Sequence, residues 1–291
     1  IRGVTKELYT NTTNAEVTDA QSVKSFDSNG FTLGTGSGSN PSGSAMVSWN
    51  WLAGTAFSGT TTGGTGKAYS GQSNEDAGFS IISYLGNGSD NHSIPHNLDS
   101  APEFVVSTRR TGTDAWYVFH IKNTSDPSSD YLRLNDTDAT SDEDEIWTDA
   151  VPTSSVVKLG TNTGINGNDV PYIMYCWHSV EGYSKIGTYT GNGNADGAFV
   201  YCGFEPAFVM TKRSDSTSQW GMWDNKRSVN PNDATLYANT DDADVTSEDM
   251  DFLSNGFKLR NSNADPANAS GGTYVFIAFS SGTGFKYGNA K

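Results

Sequence analysis

The chain is poor in the residues that build helices and cofactor sites. Leucine, lysine and glutamate are sparse for 291 residues, which argues against helical bundles. There are two cysteines, Cys176 and Cys202, and no Cys-x-x-Cys pair. Neither a disulfide framework nor a metal site is expected, and both thiols read as packing residues. No stretch approaches the length of a membrane-spanning helix, and no signal-peptide pattern is visible, so no membrane insertion is expected. There are only four histidines. His92 and His96 flank Ile94-Pro95, and the proline keeps them off a common helical face. They read as surface residues of a hairpin and not as a zinc pair. His120 and His178 stand apart in sequence. There is no Gly-x-Ser-x-Gly elbow, no Walker loop and no run of coiled-coil heptads. Gly34-x-Gly36-x-Gly38 lies in a Ser/Gly run, not at a strand-to-helix turn.

What is present is glycine with Ser, Thr, Asn and Asp, together with many Trp, Tyr and Phe residues. That mixture suits short strands joined by turns, with a core built from a few large side chains. The formal charge of −15 repels phosphate backbones and anionic membranes, so nucleic acid is not an expected partner.

The strongest signal is an internal repeat. Leu8, Asn11, Asn40 and Val47 each lie 228 residues before Leu236, Asn239, Asn268 and Val275. Between them, Ser28-Asn29-Gly30-Phe31 answers Ser254-Asn255-Gly256-Phe257. A divergent middle copy holds Tyr131-Leu132-Arg133-Leu134-Asn135, then 153–159, then the apolar run 172–177. The front halves of two copies match as well. Tyr84-Leu85-Gly86-Asn87-Gly88 resembles Tyr189-Thr190-Gly191-Asn192-Gly193, and Pro102, Phe104 and Trp116 each lie 104 residues before Pro206, Phe208 and Trp220.

The organisation follows. Residues 1–53 are the C-terminal half of a repeat unit. Residues 54–76, rich in Gly, Thr and Ser, read as a flexible linker. Residues 77–181 and 182–281 are two complete units, joined so closely at Glu181 and Gly182 that a rigid tandem is expected. A tail follows at 282–291, where Phe285-Lys286-Tyr287 could dock on a neighbour. In the last unit strands are predicted at 185–189, 198–202, 207–212, 219–224, 235–238, 257–260 and 273–279. Seven short strands in about 100 residues, with turn residues between them, predict an all-β fold of tandem antiparallel β-sandwich, jelly-roll-like units. In the last strand Val47, Trp49 and Trp51 align with Ile173, Tyr175 and Trp177, and with Val275, Ile277 and Phe279. One face is large and apolar in all three copies, which fixes the register. The opposite face varies, with Ser48 and Asn50 in one copy and Phe276 and Ala278 in another.

The phrases GFSIISYLGNG, APEFVV, WHSVEGYSKIGTYTGNGNADGAFVYCGFEPAFVMTKR, DFLSNGFKL and GGTYVFIAF resemble tail or fibre proteins of tailed bacteriophages. Their repeats are similar to concanavalin-type lectin jelly rolls. The resemblance implies a structural protein of the virion, located on the particle surface, with an exposed host-surface or glycan-binding role. It implies other virion proteins as partners, self-association as a homo-oligomer such as a trimer, and a host glycan. It assigns no site residue, so the binding residues are unknown. A polysaccharide depolymerase and a capsid decoration protein without ligand are the alternatives.

Several residues are candidates for chemistry. Trp116, Trp220 and Trp223 could stack on sugars, but repeated aromatics on strands are more often core. The acidic loops carry Asp142, Glu143, Asp144 and Glu145, and Asp241, Asp242, Asp244, Glu248 and Asp249. They lack EF-hand spacing and read as solvated loops rather than calcium sites. No acid stands at one strand position in both complete units, since Glu103 answers Ala207 and His120 answers Asp224. No catalytic residue, cofactor or metal is therefore expected, and no enzyme. Residues 1–53 lack the front half of their unit, so they are not expected to stand as a free domain. Either a longer polypeptide or another subunit supplies the missing strands. The first is the expected case, because the sequence does not open with Met.

Overall fold

A computed structural model describes residues 1–246, 250–262 and 264–281. Glu248, Asp249 and the tail at 282–291 lie outside the described residues. The chain is all-β, with several antiparallel sheets. The half copy holds β1 (Lys6–Glu7), β2 (Val17–Thr18), β3 (Val23–Asp27) and β4 (Gly30–Leu33). Next come β5 (Thr55–Thr60) and β6 (Ala68–Asn74). The first unit holds β7 (Phe79–Leu85), β8 (His92–Pro95), β9 (Phe104–Arg109), β10 (Tyr117–His120), β11 (Asp130–Arg133), β12 (Ser141–Asp142), β13 (Val156–Leu159) and β14 (Pro171–Trp177). Its two helices, α1 (Asp144–Trp147) and α2 (Thr163–Asn166), are single turns. The second unit holds β15 (Ser184–Thr190), β16 (Phe199–Tyr201), β17 (Pro206–Arg213), β18 (Trp220–Asp224), β19 (Leu236–Tyr237), β20 (Met250–Leu253), β21 (Gly256–Leu259) and β22 (Thr273–Ser280).

Both units follow one plan. The main sheet runs β7-β14-β9-β10-β11 in the first unit and β15-β22-β17-β18-β19 in the second. In each, the first strand of the unit lies beside the last, followed by the third, fourth and fifth. The register repeats too: Trp177 lies opposite Phe104 as Phe279 lies opposite Phe208, and Cys176 opposite Val105 as Ala278 opposite Val209. A smaller sheet, β8-β13 or β16-β21-β20, closes each sandwich.

The repeated residues do the same work in each copy. Tyr84 stacks on Tyr172 at 5.2 Å, and Tyr189 on Tyr274 at 5.0 Å. The buried Asn166 amide donates to the Ser89 and Gly160 carbonyls and accepts from the Asn87 N–H. Asn268 repeats this with Asn194, Asn261 and Asn192. Asn40 keeps one such bond, to the Gly34 carbonyl. Each clamp satisfies backbone groups that would otherwise be buried unpaired.

The shared apolar face does not line either sandwich's own interior. Tyr172, Met174 and Cys176 pack into the first unit's core, and Tyr274, Phe276 and Ala278 into the second's. The alternate residues Tyr175, Trp177, Val275, Ile277 and Phe279 join Phe104, Trp116, Phe208 and Trp220 in a third core between the two main sheets. Both faces of the last strand are therefore buried in the complete units. Cys176 and Cys202 lie in separate cores, each a free, buried thiol.

The half copy also reaches this central core, through Leu8, Trp49 and Trp51. It meets the first unit as the first unit meets the second. The Trp116 indole donates to the Tyr9 carbonyl at 3.1 Å, and the Trp220 indole to the Arg133 carbonyl at 2.8 Å. The Asp114 N–H donates to Thr13 O and the Glu16 N–H to Arg110 O; Ser218 to Thr137 and Thr140 to Ser214 repeat the pair. Residues at one repeat position also converge. Trp51 lies 6.0 Å from Trp177 and 5.3 Å from Phe279. The Thr10 hydroxyl donates to the Ala238 carbonyl at 2.6 Å. The same contact made in sequence, with equivalent residues meeting at the centre, describes three sectors around one approximate axis.

Two expectations need correction. Residues 54–76 are not a flexible linker: β5 and β6 pair with each other, and β6 pairs with β7, extending the first unit's sheet. Phe57 lies over Gly71, where an added Cβ would sit 2.3 Å from its ring. The glycine is there to admit an aromatic ring. His92 and His96 are not surface residues either, since both are fully buried. The His92 ring bridges Asn166 and Thr61 at 2.7 Å each, and His96 bonds the Thr153 carbonyl at 3.0 Å.

Candidate binding face on the second unit

Trp116 and Trp220 are 4% and 1% exposed, and Trp223 is fully buried. They are core, as repeated strand aromatics usually are, and cannot stack on a ligand. The aromatics that face solvent are others. On β16, Val200 points into the core while Phe199 and Tyr201, its neighbours on each side, are 46% and 65% exposed. Strand alternation places both rings on the outer face. Phe199 lies opposite Lys258, and Lys258 opposite Asp251; Tyr201 lies opposite Gly256. An added Cβ at Gly256 would sit 2.0 Å from the Val200 carbonyl, so only glycine lets β21 approach β16 there.

A charged rim adjoins the rings. Lys258 Nζ lies 2.7 Å from Asp196, and Arg260 pairs with both Asp251 and, at 3.9 Å, Asp196. The hydrogen bond from Lys258 holds the Asp196 carboxyl below its ordinary range. The face thus offers two flat apolar rings beside fixed carboxylates, an ammonium and a guanidinium. Rings of this kind pack against the C–H faces of a pyranose, and the charged groups hydrogen-bond hydroxyls. In the first unit the same positions hold Ser93 and Pro95, and the Thr62 backbone bridges to Ser93.

A second feature is an open hollow of about 290 Å³ on the first unit, lined by Asp90, Asp144, Glu145, Thr148, Asp149 and Thr161. Thr148 donates to Asp90, and Ser128 donates to Asp149. Thr148 and Asp149 both adopt left-handed backbone, at φ 53° and 51°. Among the described residues no group of three or more His, Cys, Asp or Glu side chains is placed to hold a metal ion.

Among the other singled-out acids, Glu143 accepts from Asn162 at 2.9 Å, and Asp142 pairs with Asp130 in the β11–β12 ladder. Asp241, Asp242 and Asp244 are exposed, and Asp244 lies 3.8 Å from Arg227. Glu103 accepts from the Ser179 N–H and hydroxyl. His120 Nδ1 accepts from the Lys122 N–H, so Nε2 carries the proton and donates to the Phe276 carbonyl of the other unit. Burial pushes the His120 pKa down to about 4, which keeps it neutral at pH 7. His178 lies 3.2 Å from Asp99.

Fold and contacts define a protein of stacked β-sandwiches repeated about one apolar core. The chain belongs to the DUF7483 family, a domain of unknown function, whose family profile matches residues 1–282. No curated protein and no solved structure matches it. Among the described residues no helix is long and apolar enough to cross a membrane.

Proposed function

We propose that this chain is a structural protein of a bacteriophage particle, a tail or fibre component that offers a carbohydrate-binding face to the host surface. The observation that carries the binding half is the Phe199–Tyr201 pair, two exposed rings on one strand face beside a charged rim. The resemblance of the repeat phrases to tail and fibre proteins of tailed bacteriophages supports the virion half. Sandwiches packed around one shared apolar core make a rigid module suited to a particle surface, and an acidic surface keeps it soluble at high local density. The partners on this reading are other virion proteins, further copies of the chain and a host glycan.

A glycan array on the intact protein tests the binding half. Wild type is expected to retain a defined set of host-surface glycans, and Phe199→Ala with Tyr201→Ala to lose them with unfolding unchanged. Binding by the double variant at wild-type strength would refute the assignment. Antibody labelling of purified particles tests the virion half, and particles without label would refute it. The acidic hollow favours a second reading, polysaccharide cleavage, because paired carboxylates are the tools of glycoside hydrolysis. Reducing sugar released from host polysaccharide by wild type, and lost in Asp144→Asn or Glu145→Gln, would select that reading.

A further inference from the structure

With β5 and β6 included, the two main sheets end in four edge strands: β12 and β5 in one, β15 and β19 in the other. Three of these are closed against further pairing. β12 and β19 are two residues long, and β12 carries the exposed Asp142. β15 carries the exposed Lys185, and its Ile186 N–H already donates to the Ser179 hydroxyl at 3.0 Å. Short length, charge and filled backbone groups are the devices that keep a sheet edge from acquiring another strand.

β5 has none of them. Its six residues, Thr55–Thr60, include no charge and no proline, and it pairs with β6 without a register shift. All but Phe57 are exposed. The Thr61 N–H donates to the Lys67 carbonyl on the β6 side. By the alternation of an antiparallel ladder, Ala56, Ser58 and Thr60 therefore turn their N–H and C=O groups outward. Among the described residues no backbone bond reaches that side. The edge is also held in place, since Phe57 lies over Gly71 and β6 pairs with β7 from Tyr69 to Asn74. A further strand could pair there with little new ordering.

The charge distribution says what that strand is. Residues 28–66 contain no Asp, Glu, Lys, Arg or His, in a chain of formal charge −15. Two copies of so acidic a chain repel each other, and a contact through β5 sets no charge of this stretch against another. We infer that the β5 edge joins two copies of this chain, antiparallel about a two-fold axis, so that one sheet runs through both. Ala56, Ser58 and Thr60 of each copy bond the same three residues of the other. β15 is the other edge long enough to receive β5, but it presents Lys185 and a filled N–H. A two-fold contact closes on itself, so the assembly is a dimer and not the trimer implied by the resemblance to fibre proteins. The inference does not depend on the carbohydrate reading.

Sedimentation equilibrium of the full chain over a wide concentration range tests it. A reversible monomer–dimer equilibrium is expected, because one strand edge makes a small interface. Ser58→Lys sets an ammonium from each copy beside the two-fold axis and should weaken the dimer by about tenfold or more. Ser58→Pro should weaken it too, by removing an outward N–H while every bond to β6 stays. Both variants should unfold like wild type at concentrations where wild type is a monomer. A monomer at every concentration would overturn the inference. So would a dimer that neither substitution weakens, or growth past the dimer, the mark of a head-to-tail contact.

Discussion

Replacing Trp220 with Phe probes the contact that recurs between sectors. The side chain is 1% exposed, and its indole N–H donates to the Arg133 carbonyl at 2.8 Å. Phenylalanine removes that donor and part of the ring. Losing roughly 40 Å² of buried apolar surface costs about 1 kcal/mol. Leaving a buried carbonyl short of a donor costs about 1–3 kcal/mol. The lower end applies, because the Asp136 N–H still reaches Arg133 O at 3.3 Å. The sum is about 2 kcal/mol, read as a lower urea midpoint at constant slope. Trp116→Phe makes the same change at the half copy, where Tyr9 is 45% exposed and water can replace the lost donor. Its expected cost is about 1 kcal/mol. A Trp220→Phe protein within about 0.5 kcal/mol of wild type, the range of ordinary surface changes, would refute this reasoning.

Three further outcomes follow from buried polar groups. Asn268→Ala should cost about 3 kcal/mol in urea unfolding, against about 1 kcal/mol for Asn40→Ala, since the first ties three backbone groups and the second one; equal costs would contradict the clamp assignment. Burial pushes the Lys212 pKa down to about 8, with Asp265, Asp138 and Asp136 opposing. An unfolded lysine titrates near about 10.4, so between the two values only the unfolded chain holds the proton, and stability should rise with pH there. Lys212→Met should flatten that rise, and an unchanged slope would be the contrary result. Burial raises both thiol pKa values, that of Cys202 to about 12, so a thiol reagent should find no group in the native protein and two after denaturation; native reaction of either would be inconsistent with packing roles.

The repeat was legible because equivalent residues keep equivalent partners. Asn166 and Asn268 close the same loops, and Trp116 and Trp220 make the same bond. The strand periods were legible for the same reason, with β20 the exception in the last unit: its Met-Asp-Phe-Leu sequence follows an acidic stretch that masks it. The apolar face of β22 could be read, but not what covers it, because the first unit's sheet comes from positions far away in sequence. His92 looked exposed for a similar reason: its partners, Thr61 and Asn166, lie 31 and 74 residues away. Gly71 looked like a linker residue because a glycine that admits Phe57 and one that merely bends are the same letter. Phe199 and Tyr201, the rings proposed for binding, flank an inward valine, and that alternation was readable in the sequence.

The central claim is that the half copy and the last unit share one core with the unit between them. A double-mutant cycle on Trp51 and Phe279 tests it most directly, because they lie at one repeat position, 228 residues apart, and meet edge to face at 5.3 Å. The measurement is urea unfolding of wild type, Trp51→Ala, Phe279→Ala and the double variant. The account predicts a coupling of about 1 kcal/mol, the usual worth of an aromatic pair beyond its burial. Costs that add to within about 0.3 kcal/mol, as for residues that do not touch, would contradict it.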